Sequence, residues 1–306
     1  MANMDFRKLQ ALCQLIESKS FTKAAEALGL SQPTISEQIR ILEEELGQKL
    51  VDRAGREIEA TPIGQLCYTH AQKILRLQNE MVQAVQQYQG ILSGAVVIGA
   101  STIPGAYILP EIITAFHQQH PAVAPHVHIG SSRQMAKMVL DGSCDFGLVG
   151  DIWNERGLQW RPVIEDTLCL VARPDHPLAA AARPLRLQDI QHQAFVLRDQ
   201  GSGTRSFVTS QLEAKGFKES DLQWAACFGS NEAVKEAVKA GLGLAILSGR
   251  SVAEDIQHGT LVPLTLEGIA LRRSFYLVHR RHKSLTPAVT ALLEYVHVAL
   301  GVSSPD

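Results

Sequence analysis

"FTKAAEALGLSQPTISEQIRILEEELGQKLVDR", residues 21–53, decides how the first third of this chain is read. Ala24, Ala25 and Leu28 share one narrow helical face, and Gly29 ends that helix because glycine reaches positive φ without a Cβ penalty. Ser31 stands at an N-cap position with Pro33 in the first turn, where a missing N–H costs nothing. Two short apolar-faced helices joined by a glycine turn let the second enter a DNA major groove. A plain helical hairpin inside a larger core is the alternative.

Upstream, Phe6, Leu9, Leu12, Cys13, Leu15 and Ile16 fall on helical spacing, which predicts a helix over 6–19 with Ser20 capping the next. Downstream, "KLVDRAGREIEATP" (49–62) reads as a short two-stranded hairpin. Residues 1–61 thus form a winged helix-turn-helix. From 62 to 92 runs a long polar helix in which Cys67, His70, Ile74, Leu77, Met81, Ala84, Tyr88 and Ile91 step by three and four. That spacing is the seam of a helix that pairs with another helix, since a helix packed on its own domain shows a wider apolar stripe. His70 is read as a tolerated seam residue.

Past Ser93-Gly94 the texture changes to short apolar runs alternating with helical stretches. "GAVVIGA" (94–100), "PHVHIGS" (125–131) and "CDFGLVG" (144–150) predict parallel strands covered by helices. The pattern repeats in 166–172, 193–199, 222–230 and 243–248, and a strand over 273–280 and a helix over 287–300 close the chain. Two α/β lobes follow, the first about 93–163 plus 268–306, the second about 164–267. The chain crosses between them near 162–165 and returns near 266–270.

With 306 residues and a net charge of −2, the chain is long enough for several domains but has no broad basic field. Residues 1–90 carry ten Lys/Arg against eleven Asp/Glu. DNA affinity must then come from where the cations sit, with Arg40, Lys49, Arg53 and Arg56 after the reading helix and Glu43, Glu44 and Glu45 turned away from it. No apolar run reaches membrane-span length and the first residues are polar, so a soluble, cytoplasmic protein is expected. Five scattered cysteines without C-x-x-C suggest reduced thiols, no metal and no other cofactor. Cys144 and Cys227 fall in apolar runs and are expected to be buried. "HRRH" (279–282) reads as solvated charge.

Ligands of open α/β sheets bind beyond the carboxyl ends of strands, where helix N-termini present free N–H groups. Here those ends carry Ser101-Thr102, Ser131-Ser132, the run "RDQGSGTRSF" (198–207) and Ser230-Asn231. Gly201 and Gly203 let backbone approach a ligand, while Ser202, Thr204 and Arg205 offer donors. Asp199 is the only carboxylate near Gly201–Arg205, and no nucleophile elbow or metal-spaced histidine pair is present. A small anion between the lobes is the consistent ligand, and acids and bases for general catalysis are sparse. An anion solute-binding protein or an anion-handling enzyme would use the same cleft.

On these residues the whole chain resembles a LysR-type transcriptional regulator, most specifically through residues 20–53 and "TPIGQ" (61–65). The resemblance implies an α+β multidomain chain: a winged helix-turn-helix, a dimerising linker helix and a two-lobed effector domain like periplasmic binding proteins. It also implies a homodimer through the linker helix, a homotetramer of two such dimers, and double-stranded promoter DNA as partner. Carried over by motif, Ser31, Gln32, Pro33, Thr34 and Ser36 lie near base edges, and Arg40, Arg53 and Arg56 contact phosphates. Glu37 departs from the family's usual Arg, Lys or His, and Val51 from Phe. Glu37 either accepts from a cytosine amino group or faces solvent. "GASTIPGAYILP" (99–110) and "GSGTR" (201–205) resemble the branch governing sulfur-oxyanion assimilation and carbon fixation, and "SSRQMAKMV" (131–139) resembles selenium-metabolism regulators. The implied effector is a sulfur or selenium oxyanion or a phosphorylated metabolite, held by Ser101, Thr102, Ser131, Ser202, Gly203, Thr204 and Arg205.

Overall fold

The computed structural model describes residues 5–52, 58–88, 92–153, 155–181, 183–281 and 285–301. The chain divides into two compact units, the second beginning at Leu92. The first contains α1 (Phe6–Ser18), α2 (Phe21–Leu28), α3 (Gln32–Leu46), β1 (Val51–Asp52), β2 (Glu59–Ala60) and α4 (Pro62–Tyr88). Ser20 and Ser31 cap α2 and α3 by accepting from Lys23 N and Thr34 N, and Gly29 ends α2 at φ 65°.

Leu12, Leu15, Ile35, Ile39, Leu42 and Leu50 are buried together, each such side chain contributing about 1.5–3 kcal/mol. Ala24 and Ala25 keep α2 close enough for one core to serve all three helices. The Glu43 carboxylate ties α3 to the wing by accepting from Leu50 N (2.9 Å) and Lys49 Nζ (2.8 Å). Burial opposes its charge, but Lys49 and the N–H groups of Leu50 and Val51 hold its carboxyl below the ordinary range.

The first half of α4 packs on α1. Ala71 is buried against Leu9 and Cys13, and Tyr68 donates to Glu17 at 3.0 Å. This contact corrects the expected seam. Cys67 faces its own domain's core, because α1 covers that side of the helix. The exposed stripe instead runs Ile63, Leu66, Ile74, Leu77, Met81 and Val85. The side chains of Ala84 and Tyr88, and all of Ile91, lie outside the described residues.

The second unit runs β3 (Gly94–Ser101), α5 (Thr102–Tyr107), α6 (Leu109–Gln119), β4 (Val123–Gly130), α7 (Ser132–Asp141), β5 (Phe146–Val149) and β6 (Leu158–Ala172). There follow α8 (Leu187–Ile190), β7 (Ala194–Arg198), α9 (Gly203–Glu213), β8 (Gln223–Phe228), α10 (Asn231–Lys239), β9 (Ala245–Ser248) and α11 (Gly249–Gln257). β10 (Val262–Leu264), β11 (Arg272–Arg280) and α12 (Pro287–Ala299) complete it.

The main sheet has the order β10-β6-β11-β5-β3-β4, with β9 also on β6 and β7-β8 paired separately. β3, β4 and β5 are parallel, as are β7 and β8, but β9, β10 and β11 run antiparallel to β6. The sheet is therefore mixed, because the chain re-enters the first lobe from the second and must run against its neighbours.

One core gathers Ile98, Phe116, Phe146, Leu148, Phe275 and Leu277 with Leu292 and Val296 of α12, so the last strand and helix fill the first lobe. A second core gathers Leu168, Leu170, Ile190, Phe195, Leu212 and Leu244. β6 belongs to both. The stretch 162–165, where the crossing between lobes is expected, lies inside a 15-residue strand. Pro162 there supplies no ladder donor, and the β6–β11 register shifts between Phe275 and Tyr276, an irregularity that bends the pair.

His297 on α12 is buried with neither ring nitrogen hydrogen-bonded. Burial, then the positive neighbours Arg161 and His279, push its pKa below the ordinary 6.5, with Glu294 opposing. The native state keeps the ring neutral while the unfolded chain takes up a proton as pH falls, so this residue subtracts stability below about pH 6.5. Melts followed by circular dichroism should show a midpoint that drops between pH 7.5 and 5.5. The drop should shrink in His297→Leu, by roughly 2–4 °C per kcal/mol of linkage; an equal drop in both would refute this origin.

Candidate functional site

On α3 the core takes Ile35 and Ile39, which leaves Gln32, Pro33, Glu37 and Arg40 exposed and Thr34 and Ser36 half-buried beside them. Ser31 Oγ accepts from Thr34 N and lies 2.8 Å from Thr34 Oγ1, fixing the first turn. Arg40 is not free. Its Nε donates to Glu37 at 2.8 Å, holding that carboxyl below the ordinary range, and Nη1 donates to Glu44. Glu43 and Glu45 do lie elsewhere, on the wing and on Lys8. Glu44, four residues on from Arg40, does not. Such exposed pairs add little stability but neutralise the helix surface. Arg53 and Arg56 lie outside the described residues.

In the second unit a small cleft opens beyond the ends of β3, β4, β5 and β7. Ser101, Thr102, Ser131, Ser202, Gly203 and Thr204 line it, joined by Ser132, Gly150, Arg198 and Arg273. Ser131 and Ser202 cap α7 and α9 by accepting from Gln134 N and Arg205 N. Ser132 Oγ accepts from Gly150 N at 3.2 Å, whereas Ser101 makes no side-chain cap bond. Gly203 is required by proximity: a Cβ there would stand 2.9 Å from the Gly150 backbone and from Ser132 Oγ.

Arg205 departs from the expectation. Its Nε and Nη2 donate to Glu219 (3.0 and 2.6 Å), its Nη1 donates to Arg198 O (2.9 Å), and its guanidinium lies 4.8 Å from the Trp224 ring. This side chain pins α9 onto β7 and does not line the cavity. It faces instead an adjoining apolar hollow beneath α9. Cys227, expected inside, is exposed near Arg205 Nη1, while Cys144 is buried.

The cations on the cavity are two that sequence reasoning passed over, each hidden in a strand-like run. Arg273, the second residue of β11, gives Nε and Nη2 to Asp166 (3.0 and 2.9 Å), which also accepts from Ser248 at 2.6 Å. Arg198 ends β7, where a donor at a strand terminus was the available signal. Its Nη1 reaches Thr102 Oγ1 (3.3 Å) and its Nη2 reaches Gly229 O (3.0 Å) and Asp199 (3.3 Å), while Nε has no partner. Burial pulls both guanidinium pKa values down against these carboxylates, but arginine stays charged. Thr102 also accepts from Asn231 Nδ2 at 2.9 Å, and Tyr107 donates to Glu232, so α5 is tied to the second lobe at both ends. No carboxylate lines the cavity, and no group of three metal-ligating side chains occurs among the described residues. The arrangement can hold an anion.

No helix among the described residues is long and apolar enough to cross a membrane. Residues 6–65 match the bacterial regulatory helix-turn-helix proteins of the lysR family, and residues 89–300 match the LysR substrate binding domain. The RuBisCO operon transcriptional regulator of Allochromatium vinosum is 32% identical over 96% of both chains. Full-length CbnR complexed with its target DNA superposes with a TM-score of 0.72 at 20% identity, covering 97% of this chain and 100% of that one. The CcmR regulatory domain of Synechocystis PCC6803, in complex with 2-PG, superposes with a TM-score of 0.62 at 24% identity over 68% of this chain and 98% of that one. With both of its parts matched, this chain belongs to the LysR family, as a DNA-binding transcriptional regulator with an effector-binding domain and not an enzyme.

Proposed function

We propose that this regulator's hold on promoter DNA is set by a small anion captured between its two lobes. The observation that carries the reading is the cavity lining, with its hydroxyls, the starts of α7 and α9, two buried arginines and no carboxylate. A sulfur or selenium oxyanion or a phosphorylated metabolite fits that surface. A regulator of the RuBisCO operon and a regulatory domain holding 2-PG among its relatives support the class. Ser31, Gln32, Pro33, Thr34 and Ser36 face base edges, and Arg40, Arg53 and Arg56 take phosphates. Two chains pair through α4 and two pairs make the tetramer, in the cytoplasm. The anion favours one lobe angle over another, and the spacing of the reading heads follows.

Thermal melts of the full chain against sulfate, sulfite, selenite, phosphate and phosphorylated sugars, with gel shifts on the DNA upstream of its own gene, test this. At a hundredfold excess over Kd one anion should raise the melting midpoint by roughly 5–10 °C and alter the shifted complex. If only uncharged or aromatic compounds do so, the reading is wrong.

A further inference from the structure

Glu37 stands at the middle of the surface that α3 turns away from its core. At about 100° per residue, Ile35, Ile39 and Leu42 point one way along the helix, and Glu37 lies within about 15° of the opposite direction. Pro33 and Arg40 flank it on the same exposed face. Its carboxylate accepts from Arg40 Nε at 2.8 Å and from Arg40 Nη2 at 2.5 Å, one oxygen to each nitrogen. That fork keeps the carboxyl ionised, so both oxygens can only accept.

A negative group at this place is unwelcome almost everywhere on DNA. Phosphates line both edges of the major groove and repel a carboxylate brought against either. The floor of the groove differs, because cytosine N4 and adenine N6 are donors there. Adenine sets its N7 acceptor beside N6, where the second carboxylate oxygen falls, whereas cytosine offers N4 with no acceptor of its own beside it. Arg40 supplies the balancing charge. Three of its five N–H groups are used, two by Glu37 and one by Glu44. Glu44 lies one turn further on and is the more exposed of the two acids, so a phosphate can replace it without loosening the fork on Glu37.

Resting on the reading that α3 lies in the major groove, we propose that Glu37 is a specificity-determining residue of this regulator, accepting from N4 of one cytosine in each half-site. Arg40 is its positioning residue and exchanges Glu44 for a phosphate on docking. Replacing that base pair costs about fivefold to a hundredfold in affinity.

Selection of binding sites by the full-length protein from duplexes with a randomised core, then fluorescence anisotropy on single-base variants of the selected duplex at fixed salt, decides this. The wild type should return an invariant C·G pair in each half-site and lose at least fivefold when it becomes T·A. Glu37→Gln should move that one position to A·T, since glutamine matches N6 and N7 of adenine. Arg40→Gln should relax the cytosine preference and also flatten the salt dependence, whereas loss of a phosphate contact alone would do only the second. Circular dichroism confirms that each variant is folded, and the wild-type selection needs no variant. A wild-type site without an invariant C·G pair, or an unchanged site in folded Glu37→Gln, overturns the role of Glu37. Intact cytosine preference in Arg40→Gln overturns the positioning role. Gln32→Ala separates the two readings: if it shifts another base position, α3 still reads the groove, and if neither it nor Glu37→Gln alters the site, the groove reading falls too.

Discussion

Replacing Leu77 and Met81 together with glutamate should leave this regulator monomeric at micromolar concentration and lower its operator affinity by at least a hundredfold. Both side chains are about two-thirds exposed, one turn apart on α4, and touch neither the winged core nor α1. They sit in the stripe from Ile63 to Val85, whose side chains stand exposed among the described residues. In a paired helix these positions face the partner, where four buried carboxylates per dimer would repel without compensation. The fold of each head should survive, because Ala71 and Tyr68 hold α4 to α1 from its other side. What is lost is the second head's effective concentration, an advantage worth 10²–10⁴ when two sites are joined. Sedimentation velocity and gel shifts measure the two effects, and a variant that still sediments as the wild type refutes the assignment of this face.

Gly203→Ala should abolish the effector response while sparing basal DNA binding. The added methyl would meet the Gly150 carbonyl group and Ser132 Oγ at 2.9 Å, closer than real Cβ contacts allow. Two of those three atoms are backbone, so the first lobe cannot yield by turning a side chain. The second lobe must back away, which pulls Thr204, the α9 N–H groups and Arg198 from the hydroxyls opposite. Misplacing several donors together should weaken ligand binding at least a hundredfold. Titration calorimetry for the ligand and gel shifts without it separate the two functions. Wild-type affinity in Gly203→Ala would show that the lobes need not approach this closely.

The reading unit was legible almost residue by residue, because caps, glycine stops and apolar spacing are local signals. Ser20, Ser31 and Gly29 act where their chemistry places them. The seam was misassigned at Cys67 because periodicity does not say which neighbour covers a face, and α1 covers that one. In the effector unit, strand-end hydroxyls were readable for the same local reason. The cations were not. Arg205 looked available in sequence, yet Glu219 lies fourteen residues away and is brought to it only by the turn of the chain after α9. Arg198 and Arg273 were hidden because a strand pattern reports its apolar positions, not the charge at its end. The continuity of β6 was missed too, since Pro162 and the polar residues around it resemble a break.

That continuity has a mechanical consequence. With one unbroken strand serving both lobes, they cannot slide past each other, and only a twist about the bent middle is open to them. From Glu165 to Ala172 the strand reaches about 23 Å beyond that pivot, so a rotation of about 10° carries its far tip about 4 Å. The Asp166–Arg273 pair sits at the fulcrum, with Arg273 also touching the pocket. The protein is geared like a lever, loaded close to its bearing and read out at the end of a long arm.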